Sequence, residues 1–284
     1  MKLTNEELVT CALCGGTGGH LPALDGVLRR CAHCGFVWTA GPATPPDALY
    51  DEAYYLTDGY QDYFADAAQR RFEAGRRLRW LSSVVRPSVL VEAGCAGGYF
   101  LEAARGAGFT VTGVEVSRVA AEFAVRELGV PVRQGYFERV ASSLRADVVC
   151  AFHVLEHVDD PRVFLRAAWE TLTPGGWLAL EVPNIASAAA DRLGHDWPAV
   201  APRYHRWHFT PDTLTRMLLD TGFQVVAHDT VFSRFYWPPL ARLRQARDLL
   251  VADWAACGSP RMRHPHLGDL LRIFARRDDA PRSR

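Results

Sequence analysis

The chain has 284 residues, of which 49% are hydrophobic and 23% charged, with 32 basic and 32 acidic residues. This is the composition of a globular protein, and it excludes collagen-like, coiled-coil and intrinsically disordered chains. No segment reaches the roughly 18 apolar residues that a membrane helix needs, and the start MKLTNEELVT lacks the apolar run of a signal peptide. The sequence therefore predicts a soluble, cytoplasmic protein, and its zero net charge disfavours nucleic acid as a partner.

Four segments of the chain differ in composition. The first holds two cysteine pairs and is followed by the breaker run GPATPPD, the second is rich in tyrosine, the third alternates apolar runs with helical patterns, and the fourth has apolar residues at helical spacing. We interpret them as a zinc ribbon (1–45), a linker with a helix (46–86), a ligand-binding core (87–232) and a helical extension (233–284).

The four N-terminal cysteines form two CxxC pairs, Cys11 with Cys14 and Cys31 with Cys34, separated by sixteen residues. This spacing is typical of a four-thiolate zinc site. Four thiolates fill the coordination shell, so the predicted zinc is structural. The alternative is four reduced cysteines without a metal.

Downstream of the cysteines, the pattern predicts a helix over 64–85 and then strands alternating with helices. Strands are predicted at 88–93, 110–115, 130–134, 147–152, 177–183 and 224–229. Helices are predicted at 99–107, 118–128, 161–172 and 211–221. Each helix begins soon after a strand ends, as βαβ units require. The predicted fold class is therefore α/β, with a mixed, mostly parallel sheet.

A glycine-rich turn follows the first core strand. Gly94 and Gly98 let the backbone approach a ligand, and Glu115 ends the next strand, where a carboxylate can bind ribose hydroxyls. A dinucleotide turn requires G-x-G-x-x-G, but Ala96 and Tyr99 occupy the third and sixth positions. A nicotinamide cofactor is therefore disfavoured.

The same turn resembles motif I of the class I S-adenosylmethionine-dependent methyltransferases, in which an acid and three spaced glycines follow the first strand. Here alanine stands at the middle glycine position. The resemblance extends over about residues 86–232 and implies a Rossmann-like core that binds S-adenosylmethionine. It implies that the cofactor is bound by Glu92, Gly94, Cys95, Ala96, Gly98, Glu115, Val116 and Phe137.

Candidate bases lie after the fourth core strand and before the last helix. The HVLEH run matches a metalloprotease signature, but that signature needs both histidines on one helix, and His153 is predicted at a strand end. In the methyltransferase interpretation, Glu156 and His157 lie beside the methyl group, where a histidine can take the acceptor's proton. His157 is the first candidate, followed by His153, and then by His205 and His208. Each histidine could instead be a packing or capping residue.

The order of ribbon, tyrosine-rich linker, core and HxxHFTP segment resembles zinc-ribbon methyltransferases of small molecules, which include sugar-nucleotide C-methyltransferases. The resemblance implies that the Glu-His pair transfers protons. It also implies that the acceptor is lined by Tyr54, Tyr55, Tyr60, Tyr63 and Tyr204. Aromatic packing between modules is the alternative for these tyrosines, and a sugar acceptor remains open because only about 50 residues follow the core.

The sequence therefore predicts a methyltransferase that uses S-adenosylmethionine for O- or C-methylation of a small molecule. One alternative is an RNA methyltransferase that recognises RNA through its ribbon. The zero net charge disfavours it, as does a ribbon whose basic residues are only Arg29 and Arg30. The other alternative is a non-catalytic module that binds a partner.

Overall fold

The computed structural model describes residues 10–17, 20–23, 26–41, 45–50, 54–55, 63–233 and 268–278. Residues 234–267 and 279–284 of the predicted helical extension and the predicted acceptor residue Tyr60 lie outside these residues. None of the described helices is long and apolar enough to cross a membrane.

The N-terminal segment folds into a small antiparallel sheet. Its strands are β1 (His20–Ala23), β2 (Leu28–Cys31) and β3 (Val37–Thr39), and helices α1 (Pro46–Leu49) and α2 (Ala67–Ser82) follow. Gly15 and Gly35 adopt positive φ angles of 70° and 73° directly after a cysteine pair. Each donates its N–H to the first cysteine carbonyl of its pair at 2.9 Å, which closes two tight turns that glycine favours.

The core alternates strands and helices as predicted. The strands are β4 (Val89–Ala93), β5 (Thr110–Glu115), β6 (Val132–Gln134), β7 (Ala146–Phe152), β8 (Leu172–Pro183), β9 (Trp207–His208), β10 (Phe223–Val231) and β11 (Leu270–Arg277). The helices are α3 (Tyr99–Gly106), α4 (Arg118–Glu127), α5 (Phe137–Val140), α6 (Pro161–Thr171), α7 (Ala188–Leu193) and α8 (Pro211–Asp220).

Seven strands form one sheet in the order β10-β11-β8-β7-β4-β5-β6. Strands β4 to β8 pair in parallel, and β11 is antiparallel to both of its neighbours. Successive side chains point to opposite faces: Leu90 belongs to the same hydrophobic cluster as Leu101 of α3, whereas Val91 belongs to the cluster that contains Leu165 of α6 and Leu218 of α8. The predicted α/β fold with a mixed, mostly parallel sheet is confirmed.

The C-terminal region corrects one prediction. Residues 270–277, assigned to a helical extension, form β11 between β8 and β10. The segment has the sequence LLRIFARR, and an arginine is not expected in a buried central strand. Arg272 is 7% exposed because its guanidinium pairs with the Glu181 carboxylate of β8 at 2.6 Å.

The ribbon is also joined to the core more closely than the segment boundary at residue 45 suggests. Strand β9 pairs with β3 and completes a four-stranded sheet. The Phe36 ring stacks on Trp207, with centroids 5.8 Å apart. From α6, the Arg162 guanidinium donates to the carbonyls of Ala12 and Leu13, between the first two cysteines. The ribbon therefore covers the face of the sheet that carries α6 and α8.

Candidate active site

A cavity of about 580 Å³ opens at the carboxyl ends of β4, β5 and β7. Ligands of open α/β sheets bind at this edge. Of the predicted cofactor residues, all except Gly98 line the cavity. The predicted acceptor residues Tyr54, Tyr55, Tyr63 and Tyr204 line it too.

The turn after β4 depends on glycine. Gly94 and Gly98 have φ angles of 67° and 81°, and Ala96 has 45°. A Cβ at Gly94 would lie 2.4 Å from a Val154 methyl, and one at Gly98 would lie 2.9 Å from the Ala124 Cβ. Gly98 therefore serves close packing of α3 against α4, while the backbone of Gly94 to Ala96 borders the cavity.

Glu115 ends β5 beside this turn. Its carboxylate accepts hydrogen bonds from the N–H groups of Ala96 and Ser117, both at 2.8 Å. Burial raises the pKa of Glu115, and these backbone hydrogen bonds oppose the rise. Val116 and Phe137 line the cavity next to it, so a carboxylate and apolar side chains lie together where a nucleoside could bind.

Glu92 lies at the opposite end of the turn. Its side chain is 4% exposed, and its Oε2 atom has no hydrogen-bond donor among the described residues. Burial raises the pKa of Glu92 well above its ordinary value, although the Arg77 charge opposes the rise. This orphaned oxygen, together with the glycine turn, fits a ligand with a cationic group at one end and a nucleoside at the other.

Arg77 and Arg272 are cavity residues that the sequence analysis missed. Arg77 of α2 and Arg272 of β11 both bind the Glu181 carboxylate, at 2.7 and 2.6 Å. The three residues are far apart in the chain, so no local motif could reveal the cluster.

His153 lies between two buried carboxylates. Its backbone has a φ of 56°, and its N–H donates to the Glu181 carbonyl at 2.8 Å. Its ring nitrogens lie 3.3 Å from Glu156 and 3.4 Å from Glu181. Burial acts to lower the pKa of His153, but the two carboxylates outweigh burial and raise it to about 9. At neutral pH His153 is therefore an imidazolium and has no lone pair to accept a proton.

His157 faces the cavity with one nitrogen fixed. Its Nδ1 lies 2.9 Å from the Tyr204 carbonyl and 2.7 Å from the Tyr50 hydroxyl. A carbonyl only accepts, so Nδ1 carries the proton and Nε2 keeps its lone pair. Burial lowers the pKa of His157, and the charge of Glu156, 3.8 Å from Nε2, opposes the shift.

Glu156 is completely buried beneath this histidine. Burial acts to raise its pKa, but its interactions with His157 and with the His153 imidazolium lower it to about 2. The Glu156 carboxylate is therefore ionised and close enough to stabilise a proton taken up by His157.

The other two candidate histidines differ in their access to the cavity. His205 lines it, and its Nδ1 donates to the Ala199 carbonyl at 2.7 Å. Burial and the neighbouring His157 lower the pKa of His205 to about 3. His208 is 4% exposed, lies outside the cavity lining, and has a pKa that burial lowers to about 4.

The tyrosines form a connected aromatic wall. Ring centroids of Tyr54 and Tyr204 are 5.5 Å apart, and those of Tyr55 and Tyr63 are 5.4 Å apart. Tyr50 joins this wall through Tyr54, at 4.7 Å. Its place in a tyrosine-rich run was visible in the sequence, but its contact with His157, 107 residues away, was not.

The four cysteines converge as their spacing predicts. Sulfur atoms of Cys11 and Cys34, and those of Cys14 and Cys31, lie 3.6 Å apart, and all four lie within 4.8 Å of one another. Tetrahedral zinc with bonds of about 2.3 Å separates its sulfur ligands by roughly 3.8 Å. The donor set and its geometry therefore fit zinc.

Comparison with known proteins decides the family. A family model described as a methyltransferase domain matches residues 59–228. The chain belongs to the class I S-adenosylmethionine-dependent methyltransferases. It is accordingly a methyltransferase enzyme that uses S-adenosylmethionine.

Named relatives of this methyltransferase include two ubiquinone biosynthesis O-methyltransferases. The one from Caulobacter sp. (strain K31) is 34% identical over 175 residues, which cover 56% of this chain and 67% of that protein. The one from Bradyrhizobium diazoefficiens is 34% identical over 186 residues, covering 61% and 72%.

Solved structures share the fold. A methyltransferase from Archaeoglobus fulgidus has a TM-score of 0.55 at 18% identity and covers 76% of this chain and 100% of its own. Magnesium protoporphyrin IX methyltransferase from Synechocystis PCC 6803, solved with S-adenosylhomocysteine, has a TM-score of 0.54 at 13% identity, covering 79% and 97%.

Proposed function

We propose that this methyltransferase O-methylates a hydroxyl group of a small-molecule acceptor, with His157 as general base. The observation that carries the proposal is the hydrogen bond from His157 Nδ1 to the Tyr204 carbonyl, which leaves Nε2 as a proton acceptor in the cavity wall. The names of its relatives support an O-linked product.

Bound S-adenosylmethionine supplies an electrophilic methyl group on a sulfonium. The chain's own residues hold the two reactants and manage the proton. Glu115 is placed to bind the ribose hydroxyls and Glu92 the methionine ammonium group, as the family resemblance implies. As the acceptor oxygen bonds to the methyl carbon and the sulfur–carbon bond breaks, His157 Nε2 receives the hydroxyl proton.

Glu156 and His153 prepare the base. The buried Glu156 carboxylate stabilises the imidazolium that forms on His157, 3.8 Å away. His153, held as a cation by Glu156 and Glu181, keeps Glu156 ionised. This division of roles favours His157 over His153. His205 is a weaker candidate base than His157 because of its low pKa, and His208 is weaker because it lies outside the cavity lining.

The tyrosine wall favours an acceptor with a flat face, because aromatic rings bind planar or pyranose rings by stacking. We propose a hydroxylated aromatic ring as the first candidate, because the relatives are named for O-methylation in ubiquinone biosynthesis. A sugar, with C-methylation in place of O-methylation, is the second candidate, and the same tyrosines support it through the zinc-ribbon family resemblance.

We also propose that the four cysteines hold one structural zinc ion. Four thiolates leave no coordination position for a substrate, so the ion stabilises the ribbon. Metal analysis of reduced protein should find one zinc per chain. Protein without zinc would contradict this assignment.

The functional proposal is tested by methyl transfer from labelled S-adenosylmethionine to 3,4-dihydroxybenzoate and to a thymidine diphosphate sugar. H157Q should lower turnover by about 100-fold or more, with the cofactor Kd unchanged within about twofold. H195A, which changes an exposed histidine, is the matched control. No methylated hydroxyl product from either probe, or full activity of H157Q, would contradict the proposal. The ligand atoms of Glu156, His157 and His205 lie within 4.8 Å of one another, so a second equivalent of bound metal that disappears in H157Q would also contradict the proposal, because a metal-bound Nε2 cannot accept a proton.

A further inference from the structure

We infer that Thr39, a residue of the zinc ribbon, is a positioning residue for the catalytic base: it holds residues 204–206, whose Tyr204 carbonyl fixes the tautomer of His157. The inference rests on the proposed role of His157. Nothing in the local sequence of the ribbon indicates such a task, since Thr39 and His205 are 166 residues apart.

Thr39 makes three polar contacts with the segment that carries the histidines. Its N–H donates to the Arg206 carbonyl at 2.9 Å, and its hydroxyl donates to the His205 carbonyl at 2.5 Å. The same hydroxyl oxygen lies 3.0 Å from His208 Nε2. A hydroxyl has one proton, and the carbonyl takes it, so His208 must donate from Nε2. One side chain therefore fixes both the position of His205 and the tautomer of His208.

The opposite side of the segment is bound to the turn that carries the base. The Glu156 carbonyl accepts from the N–H groups of Arg206 and Trp207 at 2.8 and 3.1 Å. His157 Nδ1 donates to the Tyr204 carbonyl at 2.9 Å. The segment is thus clamped between the ribbon and the Glu156-His157 turn, and a shift on one side changes the hydrogen bond on the other.

The ribbon can act as a clamp because it is itself anchored. Arg162 fixes the first cysteine turn to α6. Trp38 pairs with Trp207 across the sheet, and the Trp207 indole donates to the Val158 carbonyl at 2.7 Å. These contacts do not involve the Thr39 hydroxyl. Removing that hydroxyl should therefore release the histidine segment while the ribbon stays in place.

The test compares T39V, which keeps the branched shape and removes the hydroxyl, with T39S, which restores the hydroxyl. T39V should lower kcat about tenfold or more with 3,4-dihydroxybenzoate or whichever hydroxyl probe the wild type methylates. Its S-adenosylmethionine Kd should stay within about twofold and its zinc content at one per chain. T39S should recover kcat to within about threefold of wild type. T17V, an exposed threonine of the ribbon, is the matched control and should behave as wild type.

A second readout does not depend on activity. Ring ¹⁵N shifts of histidine-labelled protein report tautomers, and difference spectra with H157Q and H208Q assign the two rings. The wild type should show His157 protonated at Nδ1 and His208 at Nε2, and T39V should change both patterns. Unchanged kcat and unchanged tautomers in T39V would overturn the inference. So would equal damage in T39S, or a loss of cofactor binding and zinc that accompanies the loss of kcat. Full activity of H157Q would instead remove the base assignment, and the tautomer spectra would still decide whether Thr39 orders the segment.

Discussion

At the scale of single residues, two histidines of the same HVLEH run lie in different electrostatic environments. His153 and His157 are four residues apart, yet two carboxylates hold His153 as a cation, while burial lowers the pKa of His157 and the Tyr204 carbonyl fixes its proton on Nδ1. The sequence singled out the candidate bases, because Glu-His follows a strand. It did not rank them, because the ranking depends on Glu181 and Tyr204, which lie far away in the chain.

This difference predicts the pH dependence of turnover. The base works unprotonated, and the pKa of His157 lies below its ordinary value, so kcat should hold near pH 6.5 and fall only in more acidic solution. The titratable groups that face the His157 ring are those of Glu156, His153, His205 and Tyr50. E156Q removes the anion that stabilises the imidazolium, so the acid limb of the kcat profile should move to lower pH. An acid limb above pH 7, or a shift to higher pH in E156Q, would be inconsistent with His157 as base.

Glu115 gives a second prediction at this scale. Its carboxylate organises the turn through Ala96 and Ser117 and faces the cavity. E115A should therefore weaken S-adenosylmethionine binding by about tenfold or more, since hydrogen bonds to a charged group contribute about 1.5–3 kcal/mol. Calorimetry measures the Kd, and E127A on the exposed side of α4 is the control. Equal affinity of E115A and wild type would remove the ribose assignment.

At the scale of elements, periodicity predicted the βαβ core to within a few residues, because one-sided helices and buried strands leave regular apolar patterns. Strand β11 was missed. Its arginines are typical of a solvent-exposed tail. Only the position of Glu181 on β8, opposite Arg272, explains why this arginine can lie in a central strand. Strand β9 was missed because two residues carry no periodicity, and only its partner β3 defines it.

The buried ion pair between Arg272 of β11 and Glu181 of β8 predicts that two arginine substitutions on β11 lower the free energy of unfolding by different amounts. R272A leaves the Glu181 carboxylate, 2% exposed, with Arg77 and His153 as its remaining cationic contacts. Breaking a buried pair typically costs about 3–5 kcal/mol, so we expect the free energy of unfolding to fall by about 3 kcal/mol in urea. R276A, at an exposed position of the strand, should cost less than about 1 kcal/mol. Equal costs for the two variants would show that the Glu181 cluster does not stabilise β11.

At the scale of the whole molecule, the ribbon and the core share one hydrophobic cluster and one four-stranded sheet. Leu13 and Phe36 of the ribbon are fully buried with Phe209 of the core. The breaker run after residue 40 suggested separate modules. A sequence pattern of this kind predicts where regular structure is interrupted, but it does not predict which surfaces pack together. The ribbon instead packs behind the candidate histidines and contacts the segment that carries them.

We propose that the glycine turn, Glu92 and Glu115 form the S-adenosylmethionine site. Calorimetric titration of the purified protein with S-adenosylmethionine, S-adenosylhomocysteine and NAD measures binding at this site. We predict micromolar binding of both sulfur compounds at one site per chain and no heat from NAD. Absence of binding by either sulfur compound, or competition by NAD at similar affinity, would contradict the account.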